Sequence, residues 1–252
     1  MWAFKSLSPS NIDLLQRLKS GDDRQFGTNM DVCGTISEQD LKTSDWDRTH
    51  IVGIRSDVWN SDKHRRLVMK MFKSTGKRIR WTGTVEEITT REVHNSMGSR
   101  RAVLSLAVLL PGYEYVVMVQ QNHRTFRIPS IFTFSFYDED ADYVWYITLK
   151  RRWFSLGADF VIESGGRKIG YIDGKLIGFG YNAHIHVYEP VLAENRRFLD
   201  LLSLFAASVG YHRAMRRSVK QRVREIQSGK VPKHVVEDEE FWLLKNPRRR
   251  AA

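Results

Sequence analysis

The sequence predicts a mainly β protein whose strands enclose a helix, and three observations carry that prediction. From Tyr143 to Tyr188, runs rich in β-branched and aromatic residues alternate with short turn segments. Between Phe198 and Val209 only Asp200, Ser203 and Ser208 are polar, so a helix there has no wettable face and must be buried on every side. That helix, roughly a dozen residues, falls short of the ~20 needed to cross a bilayer. The residues leave two arrangements open: a core helix between layers, or a helix threaded through a β-barrel. With 252 residues, 42% of them hydrophobic, the chain fills one sizeable core.

Along the chain, Ser10 or Asn11 caps a short helix carrying Ile12, Leu14, Leu15 and Leu18, which Ser20-Gly21 ends. From Asp22 to about Asp62 the chain is polar, which predicts a loop-rich extension with a strand only at His50 to Arg55. Residues 1–62 are therefore assigned to an N-terminal extension, 63–227 to the strand-rich body with its buried helix and 228–252 to a C-terminal tail.

Within that body, strands are predicted over Lys77–Thr89, Arg100–Leu110, Tyr113–Gln121 and Thr125–Tyr137, punctuated by Asn95–Ser99, Pro111-Gly112 and Gln121–His123. Alternation is weak from Val103 to Leu110, as in a strand covered on both faces. Phe132, Phe134 and Phe136 alternate with Thr133, Ser135 and Tyr137, giving one aromatic, inward face.

Val144–Arg152 and Ala158–Glu163 form a hairpin about Ser155-Leu156-Gly157, and Ser164-Gly165-Gly166 leads to a strand at Lys168–Ile172. Asp173-Gly174 is read as a two-residue turn into Lys175–Phe179, because such turns need a residue with positive φ. A helix over 197–226 would be about 45 Å long at ~1.5 Å per residue, longer than ordinary strands are tall, so its second half should project. The tail Glu237-Asp238-Glu239-Glu240 followed by Phe241-Trp242-Leu243-Leu244 is expected to fold back on the body.

The residues Lys150, Arg151, Trp153, Phe154, Ser155, Leu156, Gly157, Asp159, Phe160, Ile162, Tyr171, Asp173, Gly174 and Lys175 follow one another as basic strand, turn, strand, glycine turn, strand and DGK turn. In that order they resemble the repeat of the plant LURP-one-related family, which is similar to the Tubby C-terminal domain and the phospholipid scramblases. The resemblance implies a closed antiparallel β-barrel around a central hydrophobic C-terminal α-helix. It also implies that a basic surface near Lys150 to Arg152 is where phosphoinositide headgroups would bind.

Forty Lys and Arg against 29 Asp and Glu give a formal charge of +11, which favours an anionic partner. Arg213, Arg216, Arg217, Lys220 and Arg224 fall at i, i+3, i+4, i+7 and i+11, placing five cations on one helical stripe, with Met215, Val219, Val223 and Ile226 on another. Lys150, Arg151 and Arg152 with Arg167 and Lys168 form a second basic group on neighbouring strands, Lys150 and Arg152 on one face and Arg151 on the other. The expected ligand is an anionic phospholipid or phosphoinositide surface; the alternative is a nucleic-acid-binding or protein-binding module using the same helix.

Signals for chemistry are weaker. His184 and His186 share a strand face, where two imidazoles could bind a metal, but no third ligand has diagnostic spacing. Asp138-Glu139-Asp140 with Asp142 lacks the glycine and spaced ligands of a calcium loop and reads as a solvated turn. Ser164-Gly165-Gly166 opens no helix, unlike a phosphate loop. No catalytic residue, metal site or cofactor is predicted. The single Cys33 forms no intramolecular disulfide and the N-terminus lacks a signal-peptide pattern, so the expected setting is cytoplasmic, peripheral on the inner face of a membrane if lipid is the ligand. A monomer is expected, since a closed barrel has no free sheet edge.

Overall fold

The computed structural model describes residues 1–6, 30–39, 46–61, 65–75, 78–123, 129–153, 157–177 and 180–231. Its strands are β1 (Trp2–Ser6), β2 (Met30–Gln39), β3 (Trp46–Arg55), β4 (Val68–Thr75), β5 (Arg78–Glu87), β6 (Ser105–Leu109), β7 (Val117–Gln121), β8 (Ile131–Asp138), β9 (Tyr143–Arg151), β10 (Phe160–Ser164), β11 (Arg167–Ile177) and β12 (Gly180–Val187). Each pairs antiparallel with its neighbours in the chain, and β1 pairs with β12 to close a barrel of twelve strands. The helices are α1 (Ser56–Trp59), α2 (Thr89–Ser96), α3 (Pro190–Glu194), α4 (Arg196–Val209) and α5 (His212–Gln227).

The mainly β class and the closed barrel agree with the sequence, but the barrel takes in more of the chain. β1, β2 and β3 belong to its wall, although residues 1–62 read as an extension. Two irregularities in the β2–β3 pairing, between Val32 and Gly34 and between Ile36 and Ser37, break the period-two signal that would have revealed them. The expected helix from Ser10 to Leu18 and the tail from residue 232 onward lie outside the described residues.

Side-chain alternation sets the core. Phe132, Phe134 and Phe136 of β8 are buried while Ser135 between them is exposed. All five residues of β6 are buried, because Leu106 and Val108 join the interior cluster while Ala107 and Leu109 join a second one with Met30, Val32, Ile51, Phe72 and Trp81 on the other face of the wall.

Asp173-Gly174 is not a turn: β11 runs unbroken through it, pairing Asp173 with His184 and Gly174 with Ala183. Gly174 serves close packing instead, since a Cβ there would lie 2.5 Å from the Tyr181 hydroxyl and 2.7 Å from the Ala158 carbonyl oxygen. The positive φ needed for a hairpin falls at Gly165 (56°) and Gly166 (79°), between β10 and β11.

The end of the barrel bearing Asp138 and Tyr143 we term apical, and the end bearing Ile131, Arg151 and Phe160 basal. α4 starts apically, where Asn195 Oδ1 accepts from Phe198 N–H at 3.1 Å and Phe198 meets the Phe136 ring. Every residue from Phe198 to Val209 is buried. α4 touches β1, β4, β5 and β12, and its Phe205 contacts the rings of Phe132 on β8 and Phe160 on β10 near the basal end. The single helix expected over 197–226 is two: the chain leaves α4 at Gly210 and Tyr211, with Tyr211 N–H bonded to Ser208 C=O in a tighter turn, and restarts as α5.

Candidate anion-binding surface at the basal end

α5 packs beside α2 and buries His212, Met215 and Val219. Arg213, Arg217, Lys220 and Arg224 are exposed on its other side and make no ion pair among the described residues. The stripe therefore carries four outward cations rather than five. Arg216, the fifth, is half-buried and turned into the barrel end, with Nη2 3.5 Å from Gln121 Oε1 and 3.4 Å from Ser130 Oγ. Arg222, absent from the predicted stripe, donates to the Arg65 carbonyl and ties α5 to the segment before β4.

His212 sits behind this surface against the Phe132 ring, 5.2 Å between centroids, with Nε2 3.2 Å from Ser208 Oγ. Burial, reinforced by the charges of Arg216 and Arg151, pushes its imidazole well below the ordinary range, so it is neutral and adds no charge to the surface.

The second predicted group is dispersed. Lys150 points outward and pairs with Glu163 on β10. Arg167 pairs with Glu189, and Lys168 lies over the rings of Tyr171 and Tyr188 at 5.2 and 5.5 Å. Register explains the separation: Lys168 is level with Glu163 and Thr148, toward the apical side of Lys150, and Glu163 stands between the two strands. Arg151 follows the inward parity of Ile147 and Leu149 and donates to the Gly157 carbonyl at 3.4 Å. Arg152, just past β9, is exposed. Of this group, Arg151 and Arg152 lie at the basal end with α5.

No group of three or more His, Cys, Asp or Glu side chains suited to a metal occurs among the described residues. His186 stacks on Tyr171 at 4.2 Å, while His184 is level with Asp173. The acidic turn is not simply solvated: Asp138 is buried and accepts from Asn195 Nδ2 at 3.1 Å, steadying the residue that caps α4.

Two buried ionisable clusters escaped the sequence reading. Glu87 and Glu92 lie side by side in the basal wall, where Leu67 N–H donates to Glu87 at 2.8 Å and Ser105 N–H to Glu92 at 2.9 Å. Burial raises both carboxyls, and the neighbouring Glu87 charge drives Glu92 further up, which makes Glu92 the readier of the two to carry a proton. Apically, His50, Asp200 and Arg196 gather under Trp2, with the Arg196 guanidinium 4.1 Å from the Trp2 ring centre. Acidic residues in a sequence read as solvated by default, and no spacing marked these.

No helix of the described residues is long and apolar enough to cross a membrane. Comparison with models of known protein families, with curated proteins and with solved structures finds no match.

Proposed function

We propose that the protein is a non-enzymatic barrel of the LURP-one-related, Tubby-like type, in which α4 is the helix the barrel closes around, and that it associates with anionic phospholipid surfaces through its basal end. One observation carries this reading: Arg213, Arg217, Lys220 and Arg224 share an exposed face of a helix whose opposite face is anchored in the core. Four cations held at fixed spacing on a rigid support present charge to a surface rather than to a single counter-ion. Each contributes on the order of 1 kcal/mol near an acidic membrane. Arg152 and Arg151 extend the same end, and the inward Arg216 holds its floor.

Co-sedimentation with vesicles of neutral lipid, with and without acidic lipid, tests the reading. The wild type is expected to bind only the acidic vesicles, and replacing Arg213, Arg217, Lys220 and Arg224 together by Gln should abolish the binding while the far-UV spectrum is unchanged. Binding indifferent to the replacement removes the surface from consideration. Displacement of acidic vesicles by an equal charge concentration of oligonucleotide would favour nucleic acid, since salt weakens both interactions alike.

A further inference from the structure

We propose that the seam between β7 and β8 is a binding site for an uncharged, extended peptide segment of a partner protein. The two strands pair at only two positions, Gln120 with Thr133 and Gln121 with Phe132, although both run on toward the apical end. Asn122 N–H bonded to Ile131 C=O at 2.8 Å continues the ladder basally. In an antiparallel ladder the residue pairs that exchange both main-chain bonds recur at every second residue. Asn122 with Ile131 and Gln120 with Thr133 are such positions, and the next in line is Met118 with Ser135.

That pair is missing from the ladder. The main-chain groups of Met118 and Ser135 are not engaged on their other sides either. Gln121 N–H bonds to Leu104 C=O, so it is the odd-numbered residues of β7 that face β6. Arg151 N–H bonds to Ser130 C=O, so it is the even-numbered residues of β8 that face β9. One position further, Tyr137 does not pair with β7. Its N–H donates to the Tyr113 hydroxyl at 2.8 Å, and that hydroxyl donates to the Tyr137 carbonyl at 2.9 Å. A window is left between the Gln120–Thr133 pair and the Tyr113 clasp, with two N–H donors and two C=O acceptors directed into it.

A groove of about 580 Å³ lies over this window, bordered by Met118, Gln120, Thr133, Ser135 and Tyr146. None of its lining residues is charged, in a chain of which 27% is charged. Paired main-chain donors and acceptors at strand spacing match the main chain of an extended peptide, which adds to sheets in this way. Gln, Thr and Ser side chains suit neutral polar neighbours. Tyr146, 70% exposed, offers a broad amphipathic ring at low entropic cost. A charged segment would find no counter-ion here.

Amide exchange read by NMR on the full chain tests the premise: the Met118 and Ser135 N–H groups should be at least about a hundredfold less protected than those of Gln120 and Thr133. Panning a random decapeptide library on phage should then enrich sequences with uncharged centres that shift and protect these two amides. Tyr146→Ala, at an exposed position, should weaken such a peptide at least about tenfold, as should N-methylation of a central peptide amide. Equal protection at all four amides would overturn the proposal. So would a library yielding no binder, binders indifferent to Tyr146→Ala, or a saccharide panel that binds the groove where peptides do not.

Discussion

His50 Nε2 and Asp200 Oδ1 lie 3.9 Å apart at the apical end, an ion-pair distance, yet from about pH 3 to about pH 7 the two groups are both neutral. Burial lowers the imidazole to about 3, helped by the charges of Arg196 and Lys73, and raises the carboxyl to about 7 against the pull of the same two cations. Arg196, stacked on Trp2, pairs instead with Glu38, Nη1 to Oε2 at 3.1 Å.

The signs of the two shifts oppose each other. Between the ordinary values of 3.8 and 6.5 the unfolded chain carries its proton on His50, and the folded chain carries it on Asp200. The proton count is equal, so the pair gives stability no slope in that window. Asp200→Asn leaves only the depressed His50, whose contribution is present above 6.5 and lost as pH falls toward 3. His50→Gln leaves only the raised Asp200, whose contribution is present below 3.8 and lost as pH rises toward 7. Thermal unfolding from pH 4 to 6.5 should therefore show Tm rising with pH in Asp200→Asn and falling in His50→Gln, relative to the wild type. Each slope is at most about 1.4 kcal/mol per pH unit. Parallel profiles in the two variants would disprove the neutral pair.

Glu92 is expected to tolerate an amide but not truncation. A Gln at this position keeps an acceptor for Ser105 N–H and a donor toward Glu87, so Glu92→Gln should change stability by less than about 1 kcal/mol in urea at pH 7. Glu92→Ala strands the Ser105 N–H and deprives Glu87 of its donor, at a cost of about 2–4 kcal/mol. Gln as damaging as Ala would mean that Glu92 does not act as the proton-bearing partner of Glu87.

What the sequence made legible follows from how each signal is carried. Phe132, Phe134 and Phe136, the glycines at 165 and 166, and the apolar run of α4 each declare themselves within a few residues. β2 and β3 do not, because their irregular pairing interrupts the alternation and their partners lie far along the chain. Gly174 misled for a related reason: a glycine needed for close packing against Tyr181 looks the same in sequence as one needed for positive φ. At the basal surface, helical spacing located Arg213, Arg217, Lys220 and Arg224, but could not tell that Arg216 at the edge of the stripe faces Gln121 and Ser130.

Gly157, the glycine of the β9–β10 connection, should not be replaceable even by Ala. A Cβ there would lie 1.6 Å from the Gly174 carbonyl oxygen, and the obstacle is backbone that no rotamer change can clear. Gly157→Ala should cost about 3 kcal/mol or more by chemical denaturation, whereas Gly98→Ala, with nothing within 4 Å, should be near neutral. Equal effects would mean that the β9–β10 connection does not pack on β11.

Asn195 does two jobs at the start of α4, and a single substitution separates them. Its Oδ1 caps Phe198 N–H, and its Nδ2 donates to the buried Asp138. As a cap alone, Asp would serve as well as Asn and would favour the helix dipole. Here Asn195→Asp sets a second carboxylate against Asp138 and removes the donor between them. Asn195→Ala should cost about 1 kcal/mol for the lost cap, and more to the extent that Asp138 loses its partner. Asn195→Asp should be more destabilising than Asn195→Ala, and urea unfolding of both variants at pH 7 checks this. A stable Asn195→Asp at pH 7 would reduce the residue to an ordinary helix cap, with no part in joining the β8–β9 turn to α4.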